Sequence, residues 1–392
     1  MRHSTHPFSE LSSLPPWAYA RSALWTPLEG KAMTNGRRKS HDDMISYRVE
    51  RFGEPLVETR MEPLVPTGTQ VVVEVSACGV CHSDLHLSDG FFSLGDGNKV
   101  DATRIVAPPR TLGHEIAGTV AAVGPDVRGL ALGAKRVVYP WIGCGRCALC
   151  DAGREHLCNS PAAIGLHRDG GFARFVLVPH PRYLVDFAPF DDAQACTYAC
   201  SGLTAYGALK KVPALAAGDA LLIIGAGGVG LSGIRLAGAV CGVAPIVAEI
   251  NPEKWRDARE AGASEVIDPT APGATKALLK ATGGGFTGVV DFVGAAATFE
   301  FGFGVLRKAG HMVSVGLIGG SARVPPALVA MKALTLAGSY VGSLAEMHEL
   351  IAIARTQHLP ELPVTSRPLV EVNAAIAELK GGRVHGRIVL RP

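Results

Sequence analysis

From residue 44 to about 192, short apolar or alternating runs recur between Gly, Pro and Asp. Segments 71–75, 116–123, 136–139 and 172–178 read as strands, and no helical period of any length intervenes. That pattern predicts an all-β or barrel-like unit. From about residue 203 the rhythm changes. Continuous apolar runs at 220–224 and 245–249 read as buried strands, and 229–240 reads as a helix between them. A helix over 252–261 follows, with Asn251 as its N-cap and Pro252 at its first position. Strands at 266–267, 288–293, 311–315 and 334–340 continue the series, with helical stretches between most of them. Such alternation predicts a parallel sheet covered on both faces. The remainder predicts helices near 346–354 and 370–379 and a last strand at 386–390.

Composition narrows the function classes. Apolar residues make up 47% and charged ones 19%, a globular balance, and the net charge of +3 is too slight for a nucleic-acid or membrane-surface binder. The most apolar stretch, 220–248, is interrupted by Arg235, so neither half is long enough to span a bilayer. Residues 1–43 lack periodicity and carry a basic run at Arg37, Arg38 and Lys39. They read as a disordered extension, with a transit peptide or a start placed too early as alternatives. They hold no apolar core of a secretory signal. With nine cysteines, four of them between residues 144 and 158, metal is expected instead of disulfides, in a cytoplasmic setting.

Two constellations are readable from spacing. After the strand at 220–224, Gly225-Ala226-Gly227-Gly228-Val229-Gly230 opens a helix, the G-x-G-x-x-G context of a dinucleotide site. Gly225 permits the turn, Gly227 lets backbone approach a pyrophosphate, and Gly230 allows close helix packing. Glu249 ends the next strand, where a carboxylate accepts from a ribose 2′-hydroxyl and repels a 2′-phosphate, so NAD is expected over NADP. The alternative is that Glu249 is a solvated strand-end acid. Cys144, Cys147, Cys150 and Cys158, spaced C-x2-C-x2-C-x7-C, can surround one tetrahedral structural Zn²⁺; an iron–sulfur cluster also takes four cysteines. The lobe's arginines and acids balance, with no basic stripe for nucleic acid.

Other segments have ordinary readings singly: Cys78 and Cys81 as a redox pair, His114 as a core histidine, Cys200 as a small buried hydrophobe. Together, however, Cys78-Gly79-Val80-Cys81-His82-Ser83-Asp84-Leu85-His86, Gly113-His114-Glu115, the four-cysteine lobe, Cys200-Ser201-Gly202-Leu203-Thr204 and the glycine turn occur in one order. In that order the chain resembles the zinc-dependent alcohol dehydrogenases of the medium-chain dehydrogenase/reductase superfamily, over roughly residues 45–392.

The resemblance implies an α/β protein with two zinc ions per chain and NAD. A GroES-like β-barrel catalytic domain would comprise 44–201 and 342–392, with a structural-zinc lobe at 143–159, and a doubly wound Rossmann domain would comprise 202–341. It implies catalytic zinc on Cys81, His114 and Cys200, with Cys78 and Cys196 outside the ligand set and one position open for water or alcohol. The implied reaction is reversible oxidation of a primary or secondary alcohol to an aldehyde or ketone by hydride transfer. Ser83 and His86 match a proton relay running through the coenzyme ribose to solvent, with a plain surface histidine as the alternative for His86. Asp84 and Glu115 match acids that orient ligands, His82 matches a residue facing the pyrophosphate, and Lys254 one near the adenosine ribose. The segment between Asp84 and Gly113 is longer than the resemblance leads one to expect, and rims the substrate cleft or is a solvated loop. The short spacing from Cys158 to Cys200 implies a homotetramer. Alternatives are a polyol or amino-alcohol dehydrogenase of the same superfamily, against which Cys200 argues, and a nucleotide-binding relative without catalysis.

Overall fold

The computed structural model describes residues 44–392, and the expectations for residues 1–43 lie outside them. The β-branched and leucine runs of the second half form a six-stranded sheet. Its spatial order is Glu265–Ile267, Ile246–Ala248, Leu221–Ile224, Phe286–Asp291, Leu306–Ser314, Thr335–Gly338. Every pairing is parallel. Leu221–Ile224 and Phe286–Asp291 are buried at every residue, as strands covered on both faces must be. In sequence order the arrangement is 3-2-1-4-5-6, so the connections reverse between those two strands and a crevice opens beyond their carboxyl ends.

The first half and the C-terminus build a second, mainly antiparallel sheet. Val71–Gly79 is its spine: Glu115–Val123 pairs along one edge, and Phe175–Val178 and Arg387–Arg391 share the other. Two register shifts in the first pairing bend the spine. The α/β class with its parallel sheet follows the sequence pattern, and among the described residues no helix is long and apolar enough to cross a membrane.

Several elements depart from expectation. The stretch read as free of helices contains helix His82–Asp89, closed by Gly90 at φ +83°. Its buried apolar residues, Leu85 and Leu87, are not spaced at i, i+3 or i+4, so no helical period is visible. Asp192–Thr197, a π turn at Tyr198–Gly202 and Leu203–Leu209 form one nearly continuous helical rod buried on almost all sides, which erases amphipathic contrast. The strand expected at 172–178 is regular only over Phe175–Val178, because Phe172 turns aside to accept a hydrogen bond from the Tyr47 amide. The helix expected at 252–261 begins as a 3₁₀ turn, Pro252–Lys254, and becomes α-helical only over Trp255–Glu260. The long segment before Gly113 carries a hairpin, Phe91–Gly95 with Asn98–Asp101, turning at Asp96 (φ +52°) and Gly97 (φ +79°).

Candidate active site

Three possible metal ligands arrive from three elements. Gly79 pairs opposite Glu115, so residues just past the first strand and just before the second meet at one edge. Cys81 follows the first strand as N-cap of His82–Asp89, and His114 immediately precedes the second. Cys200 comes from the π turn, whose widened i→i+5 geometry redirects side chains. The ligand atoms of Cys81, His114 and Cys200 lie within 4.8 Å of one another, and all three residues are buried. His114 Nε2 is shielded from solvent with no hydrogen-bond partner among the described residues, while Nδ1 lies 3.3 Å from Asp84 Oδ1. Two sulfurs and an imidazole whose Nε2 has no protein partner fit a zinc ion and leave its fourth position open. Electrostatics agrees: the neighbouring Cys200 thiol foremost, then the His114 ring, holds the Cys81 thiol well below its usual value against the effect of burial. Cys78 and Cys196 lie outside this group; the Cys196 thiol is turned to the Ala193 carbonyl, 3.3 Å away.

Two buried carboxylates brace the ligands. Asp84 accepts from the amides of Cys81 (2.9 Å) and Gly113 (3.2 Å), which ties the two ligand-bearing segments together. Glu115 accepts from the Ser201 amide at 3.0 Å, beside Cys200, and its other oxygen is ion-paired with Arg387. A side chain at Gly79 would place its Cβ 2.0 Å from Glu115 Oε2, so glycine is required there. Burial raises the Glu115 pKa, and Arg387 opposes it.

Arg387 also closes the distance to the glycine turn: a Cβ on Gly228 would lie 2.3 Å from Arg387 Cδ. Gly225 adopts φ +91°, and a Cβ on Gly230 would lie 1.9 Å from the Gly225 carbonyl oxygen. At Gly227, by contrast, a Cβ would meet nothing within 4 Å, so the backbone at the start of helix Gly228–Cys241 faces open space suited to a pyrophosphate. Val229 is half-buried in the first turn of that helix. Glu249 is buried, not solvated; its two oxygens accept from the amides of Ala226 and Asn251, both at 2.8 Å, so it braces the turn as well as facing it. Lys254 is half-buried at the end of the 3₁₀ turn. His82 takes the first helical position, and burial of its ring foremost, then Arg387, His86 and Lys254, lower its pKa despite Cys81.

Ser83 is half-buried and lies three residues before His86, and residues three apart share a helix face. The His86 ring lies 4.9 Å from that of Phe92 in the hairpin. Burial lowers the His86 pKa, while Cys81 and Asp89 raise it.

The four-cysteine lobe forms a separate group, with sulfur separations of 3.5 Å (Cys147–Cys150), 3.8 Å (Cys147–Cys158) and 4.0 Å (Cys144–Cys150). Sulfurs about 2.3 Å from a tetrahedral ion lie ~3.8 Å apart. Amides of Cys144 and Ser160 donate to the Cys158 sulfur and hold its pKa down to about 6.

Spacing did not single out Arg387, Trp141 or Tyr340. A lone arginine opening the apolar run 388–390 was the only signal for the first. The Trp141 ring lies 5.3 Å from His114, and Tyr340 lies 5.9 Å from Trp141.

Comparison with known proteins places these features in a family context. Residues 67–188 match the family model "Alcohol dehydrogenase GroES-like domain", and residues 228–356 match "Zinc-binding dehydrogenase". The chain is 35% identical over 352 residues to an NAD-dependent alcohol dehydrogenase of Sulfurisphaera tokodaii, covering 89% of this chain and 100% of that protein. It is 34% identical to one of Saccharolobus solfataricus, with the same coverage. The crystal structure of the alcohol dehydrogenase from Aeropyrum pernix superposes with a TM-score of 0.80 at 30% identity, covering 89% of this chain and all of that one.

Proposed function

The chain belongs to the zinc-type alcohol dehydrogenases of the medium-chain dehydrogenase/reductase superfamily, and from that premise we propose that it oxidises primary or secondary alcohols reversibly with NAD at the Cys81–His114–Cys200 centre. The observation that carries this reading is the joining of two sites by one residue: Arg387 is ion-paired with Glu115, next to His114, and packs against Gly228 of the dinucleotide turn.

In this reading Cys81, His114 and Cys200 hold a zinc ion, and Cys144, Cys147, Cys150 and Cys158 hold a second, structural one. Zinc at the first site supplies Lewis acidity that lowers the pKa of an alcohol hydroxyl, and NAD supplies the hydride acceptor. Asp84 fixes the His114 ring so that Nε2 faces the ion. Ser83 Oγ takes the hydroxyl proton and the His86 imidazole delivers it to solvent. Arg387 and His82 face the pyrophosphate, with Lys254 and Glu249 toward the adenosine ribose. A single carboxylate at Glu249, with no arginine directly following, favours NAD.

The proposal extends to organisation. Residues 44–201 with 342–392 act as the catalytic domain and 202–341 as the coenzyme domain. The protein works as a homotetramer in the cytoplasm, whose reducing environment suits six cysteines in metal-ligand groups.

Metal analysis with initial rates tests the reading. Two zinc ions per chain are expected. Cys81→Ser is expected to lose one ion and turnover together while the fold persists, whereas Cys144→Ser loses the other and lowers the thermal midpoint. Full activity in Cys81→Ser would overturn the assignment.

A further inference from the structure

Arg235 interrupts the most apolar stretch of the chain, and neither the glycine turn nor the metal ligands account for it. It lies in helix Gly228–Cys241 and is only 5% exposed. Among the described residues it makes no ion pair. Its Nη1 lies 3.3 Å from the Pro360 carbonyl oxygen and 3.5 Å from Gln194 Oε1, both long for hydrogen bonds, while Nε and Nη2 have no hydrogen-bond partner there. Withdrawing a guanidinium from water without a carboxylate is costly, and a leucine or methionine at this position would bear no such cost. What the guanidinium does meet is an aromatic ring. Its central carbon lies 5.2 Å from the centroid of Tyr198, within the reach of a cation–π contact, and such contacts are strongest where both partners are desolvated. Tyr198 is itself buried.

Tyr198 opens the π turn that carries Cys200. A π turn is an unfavourable interruption of an α-helix and persists where its surroundings hold it. Here the backbone is held by side chains: the Ser201 amide donates to Glu115 at 3.0 Å, the Trp141 indole donates to the Ala199 carbonyl at 2.9 Å, and the Ser201 hydroxyl donates to the Thr197 carbonyl at 3.0 Å. The Tyr198 ring holds the turn lengthwise. A Cβ on Gly202 would come within 2.9 Å of Tyr198 Cδ1, so the ring reaches from the first residue of the turn to the last, with Cys200 midway. Phe190 meets that ring edge-on, 5.6 Å between centroids, and Arg235 reaches it from the helix that follows the glycine turn.

We propose that Arg235 is a positioning residue for the metal centre: through the Tyr198 ring it clamps the π turn to helix Gly228–Cys241 and so fixes the Cys200 sulfur within reach of Cys81 and His114. The inference rests on the reading of those three residues as metal ligands, but its test needs no turnover.

Cobalt(II) in place of zinc is the probe, because thiolate ligands give it a charge-transfer absorption. The difference between the unsubstituted protein and Cys81→Ser isolates this centre from the four-cysteine lobe. Arg235→Met keeps the apolar stem and removes the cation. Cobalt affinity at this centre is expected to fall ~10-fold or more, and its thiolate band to weaken, while the lobe stays filled. Tyr198→Leu should match that loss, Tyr198→Phe should behave as the unsubstituted protein because a π face remains, and Arg235→Met with Tyr198→Leu should lose no more than either alone. Affinity and band unchanged in Arg235→Met and Tyr198→Leu, or equal losses in Tyr198→Leu and Tyr198→Phe, would overturn the clamp, and Arg235 would then only fasten its helix to Gln194 and Pro360. If Arg235→Met does not fold, the comparison of Tyr198→Leu with Tyr198→Phe decides. An active dehydrogenase whose cobalt signal ignores these substitutions overturns the clamp alone. The expected cobalt losses in a protein that oxidises no alcohol uphold the clamp and overturn the dehydrogenase reading.

Discussion

Arg387 is buried, its Nη2 faces Glu115 and its Nε has no hydrogen-bond partner among the described residues. A guanidinium so placed is held by one carboxylate while keeping donors for an anion at the glycine turn. Removing one member of a buried ion pair strands the other's charge, at a cost of about 3–5 kcal/mol. Arg387→Met is therefore expected to destabilise the fold by about 3 kcal/mol in urea unfolding, and to weaken NADH binding at least ~10-fold in fluorescence titration. Adding Glu115→Gln to that variant should recover most of the stability, because no charge is left stranded, but none of the affinity. Unchanged coenzyme affinity in Arg387→Met would show that the guanidinium holds only Glu115. At this scale the cysteines and histidines of the site are legible in sequence, because their identity and spacing are themselves the signal. Arg387 is not: its meaning depends on a pairing with Glu115 across 272 positions of chain, which spacing does not encode.

The hairpin Phe91–Gly95 and Asn98–Asp101 shows what an element adds. Its Asp96-Gly97 turn is a strong local hairpin signal, but the flanking residues alternate too weakly to mark the strands. The buried strands around the glycine turn were legible because long apolar runs ended by glycine have few alternatives. The helices at 82–89 and 192–209 were not, one lacking periodicity and the other lacking a polar face. The hairpin lies against the loop that follows Leu306–Ser314: a Cβ on Gly319 would approach the Ser93 carbonyl oxygen to 2.2 Å, and one on Gly95 would meet Gly320 Cα at 2.4 Å. Held there, Phe92 covers His86 and burial lowers the imidazole pKa below its ordinary 6.5. A lowered pKa keeps His86 neutral and able to accept a proton at pH 7. Alcohol oxidation should accordingly fall as pH drops through a midpoint below 6.5. Phe92→Ala uncovers the ring, and the midpoint should rise toward 6.5 in a kcat–pH profile. Gly319→Ala, strained at φ +95° and crowding Ser93, should raise it too while costing about 2 kcal/mol of stability. A profile unmoved by either substitution would remove His86 from the proton path.

For the whole molecule, the parallel sheet and a second β unit are readable from the change of rhythm near residue 203, whereas the return of the chain to the first sheet is expected only from the family resemblance. Strand Arg387–Arg391 joins the spine Val71–Gly79 only through a long-range register, Leu390 opposite Cys78. The parallel sheet also has an open edge. Thr335–Gly338 is the last strand of six, paired on one side only among the described residues, with Leu336 exposed. Helix Pro326–Met331 nearby presents Leu328 and Met331, the latter 75% exposed. An open edge with apolar neighbours is a template for another strand. A second copy related by a two-fold axis must pair this strand antiparallel to itself, extending six strands to twelve and covering the same residues on both copies. In the homotetramer proposed above, that isologous contact would supply one of the interfaces. Leu336→Lys puts two like charges face to face across the axis, and Met331→Lys adds another pair beside it. The double variant should sediment as a smaller species than the unsubstituted protein while retaining two zinc ions per chain and the same sheet content by circular dichroism. A tetramer of unchanged mass would place the subunit contacts elsewhere and leave this edge to solvent.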